Sequence, residues 1–279
     1  MQEEFPEKRK RGRPRSTGPK PAGSPVLALD RGLIILEALA KLSTATLGQL
    51  ALHVDMPAST VHRILATLQN HGFAEFDKST QTWAIGVGAF RVGSTFLARS
   101  NLIEASHKVL RNLMEQTGET ANLAIAEAGH VIFVSQVETQ NPIRAMFRQG
   151  TGSPMHASGI GKAMLAEMPI ETCISIVKKT GQQAFTPLTL TTADALIKNL
   201  EQVADAGWAL DNEERYLGMR CIAAAIYDDH GKAIAGLSVS GPVARFTDNM
   251  ILETAPIVVR AAHLLTEITG GKPPLRPEK

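Results

Sequence analysis

Two short helical patterns between residues 47 and 70 leave few options for the fold of the first third of the chain. Apolar residues recur at helical spacing from 47 to 54 and again further along. Met56-Pro57 separates the two patterns, because the residue before a proline is pushed out of helical geometry. Ser59 is the predicted N-cap of the second helix, and the residues predicted to form its buried face are Val61, Ile64, Leu65 and Leu68.

The neighbouring segments extend this pair into a larger motif. A helix is predicted over 26–41, and a two-stranded wing with a polar turn is predicted over 73–85. The outward residues of the second helix are small and polar, with one arginine, which suits a helix that enters the major groove of DNA: Ser59, Thr60, His62, Arg63 and Thr67. We predict a winged helix-turn-helix over 24–88 that binds double-stranded DNA. The alternative is a helical docking module with no DNA role.

Basic residues are concentrated before this motif. Residues 1–20 hold seven Lys or Arg against three Glu, whereas the rest of the chain holds 22 basic and 24 acidic residues. Within this arm, Arg11-Gly12-Arg13-Pro14 resembles the core of an AT-hook, whose arginines enter the minor groove of A·T-rich DNA. Frequent prolines predict that the arm, 1–23, has no regular structure. Arg11 and Arg13 are predicted DNA contacts, with a solvated tail as the alternative.

Composition excludes several classes of protein. Hydrophobic residues make up 44% and charged residues 20% of the chain, which is typical of a globular protein. The longest apolar runs, such as 221–227, are far shorter than the roughly 20 residues that span a bilayer. The first residues are predicted to carry no secretory signal, because no apolar segment follows their charges. The two cysteines form neither a disulfide framework nor a metal site. We expect a cytoplasmic protein with no membrane partner, metal or cofactor.

The rest of the chain predicts an α+β domain over 118–271, followed by a tail at 272–279. A helix over 89–117 is predicted to link it to the DNA-binding domain, although an ordinary amphipathic core helix has the same pattern. Strands are predicted at 121–128, 131–137, 143–147, 208–211, 221–227 and 233–240, and helices at 160–166, 170–178, 193–206 and 248–269. Strands in hairpins, with helices grouped between them, favour an α+β sheet over a doubly wound one.

No enzyme motif is complete. The segment around Lys162 resembles a phosphate-binding loop, but His156 stands where its first glycine belongs and Ala163 stands where Ser or Thr must follow the lysine. Cys221 lies in an apolar strand, which favours a buried structural thiol over a nucleophile. The chain is therefore predicted not to be an enzyme.

The same glycine-rich segment suits an anion-binding site. Gly159 and Ile160 open a predicted helix, whose free backbone N–H groups attract negative charge. Ser238 and Ser240 alternate with apolar residues, so their hydroxyls lie on one face of a strand, although surface positions explain them equally well. Asp211 ends a strand, where a carboxylate is also common as a cap.

Several blocks of the sequence, in the same order, resemble the IclR family of bacterial transcription regulators. They are residues 28–36, 59–68, 85–88, 155–166, 211–221 and 236–242. The resemblance covers about 24–270 and implies a winged-helix domain, then a GAF-like effector-binding domain, in a homodimer or homotetramer. The AT-hook-like arm lies outside the family pattern.

The resemblance also implies an effector site for a small 2-oxo acid. The backbone amides of Gly159 and Ile160, with the hydroxyls of Ser238 and Ser240, would hold its carboxylate. Asp211 and Cys221 would meet its carbonyl or hydrate end. Met146 and Met219 would form an apolar wall. This set is similar to the glyoxylate-responsive branch, with regulators of allantoin and glyoxylate assimilation and of the β-hydroxyaspartate cycle. Glyoxylate is the favoured effector and pyruvate the next.

These patterns together predict a nucleoid-associated regulator, acting as repressor or activator. It would bind an operator and change its affinity when the effector binds, and so control carbon-metabolism genes, with coupling through the helix at 89–117. The alternatives are a ligand-independent architectural DNA-binding protein and a small-molecule enzyme with a DNA-binding appendage.

Overall fold

A computed structural model describes residues 26–98 and 101–274 of the chain. The chain divides into two compact units, the first ending at Phe96 and the second beginning at Leu97. The AT-hook-like motif, with Arg11 and Arg13, lies outside the described residues. No helix in the described ranges is long and apolar enough to cross a membrane.

The first unit is a winged helix-turn-helix, as predicted. Its helices are α1 (Leu27–Leu42), α2 (Leu47–His53), α3 (Ala58–Asn70) and α4 (Val87–Ala98), and its strands are β1 (Thr44–Ala45), β2 (Ala74–Asp77) and β3 (Thr82–Ile85). The strands form an antiparallel sheet in the order β1-β3-β2, in which β2 and β3 are the predicted wing. The two-residue β1 was not expected from the sequence.

Local chemistry sets the helix starts of this unit. Thr46 and Gln49 form a reciprocal capping box at the start of α2, in which the Thr46 N–H donates to Gln49 Oε1 at 2.9 Å. The prediction that Ser59 caps α3 was wrong, because the N-cap is Pro57 and Ser59 lies inside the helix. The φ of Pro57, −57°, is set by its ring and the residue keeps extended geometry, so the helix begins directly after it.

The second unit is built on one antiparallel sheet. Its strands are β4 (Thr120–Glu127), β5 (His130–Val137), β6 (Gly152–Pro154), β7 (Ala209–Asn212), β8 (Met219–Tyr227) and β9 (Ala233–Pro242), in the order β6-β5-β4-β9-β8-β7. Its helices are α5 (Asn101–Thr117), α6 (Gly159–Leu165), α7 (Ile170–Thr180), α8 (Ala193–Ala206) and α9 (Asp248–Ile268). The unit is α+β, as predicted.

The structure corrects one predicted strand and leaves the continuity of one predicted helix untested. The prediction of a strand at 143–147 was wrong. The carbonyl of Ile143 accepts a hydrogen bond from Arg245 Nη2 at 2.7 Å, and Phe147 stacks on Phe133 at 4.4 Å between ring centroids. Side-chain contacts, rather than a strand ladder, hold this segment. The predicted helix at 89–117 corresponds to α4 and α5, and its continuity stays a prediction because residues 99–100 are not described.

The two faces of the large sheet differ in chemistry. Leu237 and Val239 of β9 point into the core formed with α5 and α9, whereas Ser238 and Ser240 alternate with them and lie on the opposite face. α6 packs on that second face. A Cβ at Gly236 would lie 2.7 Å from Ile160 Cγ2, so this glycine lets α6 approach the strands closely. The N-terminus of α6 is thereby brought to the polar face.

The core of the first unit provides a test of the fold. Leu65 is completely buried in it, and Leu65→Ala is expected to lower the free energy of unfolding of this unit by about 2–5 kcal/mol, because buried methyl groups are lost and a cavity remains. Scanning calorimetry measures the change. The control Leu52→Ala, at a position 85% exposed, should change it by less than about 0.5 kcal/mol. Equal free energies of unfolding in the two variants would contradict the assignment of Leu65 to the core.

Candidate functional site

The free face of α3 carries the predicted DNA contacts. Ser59, His62, Arg63 and Thr67 are exposed and Thr60 is half-buried, while Val61 and Leu65 face the core. Thr67 Oγ1 donates to the Arg63 carbonyl at 3.0 Å. Within the described part of the chain, no ion pair engages the Arg63 guanidinium. It is therefore available to a base edge or a phosphate.

A row of polar side chains crosses the second unit. Asp211 of β7, Cys221 of β8 and Ser240 of β9 are register partners on successive strands, so their side chains share one face of the sheet. Ser238 lies two residues from Ser240 on that face. A Cβ at Gly159 would lie 2.9 Å from Cys221 Sγ, so the start of α6 sits directly over the row.

A cavity of about 30 Å³ opens between this row and α6. It is lined by seven of the eight predicted effector residues: Gly159, Ile160, Asp211, Met219, Cys221, Ser238 and Ser240. Met146 is outside the lining and 63% exposed, whereas its neighbour Phe147 lines the cavity beside Phe133. The small volume and the polar floor suit a ligand of few heavy atoms.

Two buried polar residues that support the site were not identified from the sequence. Asn122 of β4 is completely buried, and its Nδ2 donates to Ser238 Oγ and Ser240 Oγ, each at 3.4 Å. An asparagine inside a predicted apolar strand was the signal that a partner must exist. Lys162 is also completely buried and pairs with Glu214. Its position in a glycine-rich segment gave no indication of burial.

Burial raises the pKa of Asp211, the acidic residue at one end of the row. Burial, and then the neighbouring Glu214, raise the pKa of Asp211 to about 7, against the opposing effect of Lys162. Asp211 Oδ1 accepts the backbone N–H of Glu214 at 2.8 Å. Near neutral pH, Asp211 therefore exists in both forms, and its protonated form is able to donate a hydrogen bond.

The thiol in the row is not poised for catalysis. Burial, followed by the charge of Asp211, raises the pKa of Cys221 to about 11. The thiolate is the nucleophilic form of cysteine, so this thiol stays protonated and serves as a weak hydrogen-bond donor. Cys221 is half-buried and lines the cavity, and its raised pKa does not favour a nucleophile.

Among the described residues, one group has metal-type ligands close together. Asp228, Asp229 and His230 in the β8–β9 turn place their ligand atoms within 4.8 Å of one another. Asp228 Oδ1 already accepts the backbone N–H groups of His230 and Lys232, both at 2.9 Å. This is ordinary turn geometry, and we assign the group no metal.

A winged helix with a free polar and basic face, joined in one chain to a unit with a small cavity lined in part by polar side chains, is typical of a DNA-binding transcription regulator with an effector domain. The family models agree with this class. The IclR helix-turn-helix domain matches residues 28–78, and the bacterial transcriptional regulator IclR C-terminal domain matches 94–266. The chain belongs to the IclR family.

Individual relatives support the same assignment. The chain is 48% identical over 262 residues to the HTH-type transcriptional regulator BhcR of Paracoccus denitrificans, covering 92% of this chain and 94% of that protein. It is 40% identical to the transcriptional repressor IclR of Escherichia coli, with 94% and 97% covered. The crystal structure of Thermotoga maritima IclR has 26% identity and a TM-score of 0.71, with 88% and 99% covered. These relatives are named as regulators, which supports the prediction of a non-enzymatic protein.

The pKa of Asp211 leads to a prediction about stability. Because folding raises this pKa from 3.8 to about 7, the folded protein binds more protons than the unfolded chain in that interval. The stabilisation from Asp211 is complete below about pH 4 and is lost as the pH rises through 7. Asp211→Asn keeps the acceptor for the Glu214 N–H but does not ionise. Relative to the natural protein, we expect the variant to gain more than about 1 kcal/mol of unfolding free energy between pH 5 and pH 8.

Chemical denaturation at constant ionic strength measures this difference. The control is Asp194→Asn, at an exposed position of the same unit, which should show no such trend. A difference between Asp211→Asn and the natural protein that does not change with pH would contradict the assigned environment of Asp211.

Proposed function

We propose that the second unit binds glyoxylate, with pyruvate as the next candidate, and that binding changes the affinity of the first unit for an operator controlling carbon-metabolism genes. The observation that carries this proposal is the row Asp211, Cys221 and Ser240, which faces a small cavity under the start of α6. Hydroxyl, carboxyl and backbone N–H groups converge there on a space of about 30 Å³.

The chemistry of the row divides the ligand into two ends. The hydroxyls of Ser238 and Ser240, with the backbone N–H groups of Gly159 and Ile160, would donate to the carboxylate. Because its pKa is about 7, Asp211 would be present in both protonation states near neutral pH. The protonated carboxyl would donate to the carbonyl oxygen, and the carboxylate would accept from a hydroxyl of the hydrate. An aromatic effector would need a larger apolar cavity.

The first unit is proposed to act as part of a homodimer or homotetramer. Several apolar side chains of α1 and α4 are exposed in the single chain: Leu29, Leu33, Val87, Phe90 and Val92. Exposed apolar surface of this kind commonly marks a protein interface, and a two-fold assembly would match a near-palindromic operator. The regulator would act in the cytoplasm, on the chromosome.

A ligand-binding experiment tests the effector site. Ser240→Ala removes one hydrogen-bond donor to the ligand carboxylate, so we expect glyoxylate affinity to fall about ten- to a hundredfold, while operator affinity without ligand is unchanged. Isothermal titration calorimetry measures the ligand, and Ser175→Ala, exposed on α7, is the matched control. Glyoxylate binding of equal strength in both variants would place the site elsewhere.

The DNA contact is tested separately. Arg63→Ala is expected to weaken operator binding by about 1–3 kcal/mol, because one side-chain contact to a base edge is lost. Fluorescence anisotropy at fixed salt measures the affinity. Lys41→Ala removes the same charge from the end of α1 and should have a smaller effect. Unchanged affinity of Arg63→Ala would remove Arg63 from the interface.

A further inference from the structure

Arg215 is a cavity residue that the sequence patterns did not single out. It lies in the turn between β7 and β8 and lines the same cavity as Gly159 and Asp211. Its guanidinium carbon is 3.8 Å from the ring centroid of Phe185 and 5.1 Å from that of Tyr216. Aromatic faces attract a cation without using its N–H donors, so the rings hold the side chain while its hydrogen bonds remain available.

The Nε of Arg215 has no hydrogen-bond partner. The atom is buried, and no acceptor in the described part of the chain reaches it. A buried donor without a partner is costly, especially on a charged group. Since Arg215 lines the cavity, a ligand oxygen that contacts the guanidinium there would supply an acceptor for this incompletely paired cation.

The neighbouring charges are already engaged with other groups. Glu214 pairs with Lys162, and Arg220 pairs with Asp248 at 2.8 Å. The pKa of Asp211 is raised to about 7, chiefly by burial, so this carboxyl is partly neutral at physiological pH. The ion pairs of the described residues include none with Arg215. Its positive charge therefore lies at the cavity without a carboxylate partner among the described residues, which favours an anionic ligand.

We propose that the guanidinium of Arg215 donates a hydrogen bond to an anionic oxygen of the effector and makes this site selective for small carboxylates over neutral molecules of the same size. The proposal rests on the proposed function of the cavity and adds a specificity-determining residue to it. A charge-assisted hydrogen bond from a guanidinium is stronger than one from a neutral donor. The two rings fix the guanidinium before the ligand arrives, which reduces the entropy lost on binding.

The test compares an anion with a neutral analogue. Calorimetry would measure the binding of glyoxylate, pyruvate and glycolate, and of the uncharged glyoxylamide, to the full-length protein. Arg215→Gln is expected to weaken the carboxylates about ten- to a hundredfold and to leave glyoxylamide unchanged. Arg215→Lys should retain part of the carboxylate affinity, because it keeps the charge but not the planar group. The control is Arg111→Gln, at an exposed position of α5.

A second variant tests the contribution of the stacking ring. Phe185→Leu removes one stacking ring and keeps Arg215, so carboxylate affinity should fall by less than in Arg215→Gln. Equal losses of glyoxylate and glyoxylamide in Arg215→Gln would make Arg215 a structural residue and overturn the proposal, as would undiminished carboxylate binding.

The same titrations distinguish this proposal from the proposed function. Binding of another carboxylate but not glyoxylate, with dependence on Arg215, would overturn glyoxylate as effector and support Arg215 as the anion-binding residue. Binding of glyoxylate that is insensitive to Arg215→Gln would support glyoxylate as the effector and overturn the role proposed for Arg215. No binding of any small carboxylate by the natural protein would overturn both.

Discussion

The buried ion pair between Lys162 and Glu214 is the contact on which the effector site depends. Lys162 Nζ also donates to the Leu210 carbonyl, so one side chain joins α6 to both β7 and the turn that follows it. Removing one partner of such a pair typically costs about 3–5 kcal/mol, because the other charge stays buried and unpaired. The pair therefore fixes α6 relative to the end of β7, which carries Asp211, and to the following turn, which carries Arg215.

The two faces of the six-stranded sheet have different roles in this arrangement. The face toward α5 and α9 is a continuous apolar core, which supplies stability. The opposite face accepts α6 closely enough to shield a polar row from most of the solvent, and this desolvation is the main reason that the pKa of Asp211 rises to about 7 and that of Cys221 to about 11. Burial thus keeps the thiol unreactive while it leaves the carboxyl able to donate or accept a hydrogen bond.

The sequence predicts what repeats along the chain and misses what depends on distant contacts. Helical spacing located the helix-turn-helix, and the alternation around Ser238 placed both serines on one face. The short strand β1 depends on its pairing with β3, and the irregular segment at 143–147 depends on a distant side chain, Arg245. No local pattern reveals either contact. Lys162 and Arg215 were missed for the same reason, since ordinary patterning places charged side chains at the surface.

The central claim is that a small oxo acid alters DNA binding, and anisotropy on labelled DNA from upstream of the protein's own gene tests it most directly. Glyoxylate would be titrated at fixed salt, with pyruvate and random-sequence DNA as controls. We expect glyoxylate to shift the curve for the specific DNA and random DNA to bind far more weakly. Curves that superimpose with and without oxo acid, or random DNA bound equally tightly, would contradict the account and favour an architectural DNA-binding protein.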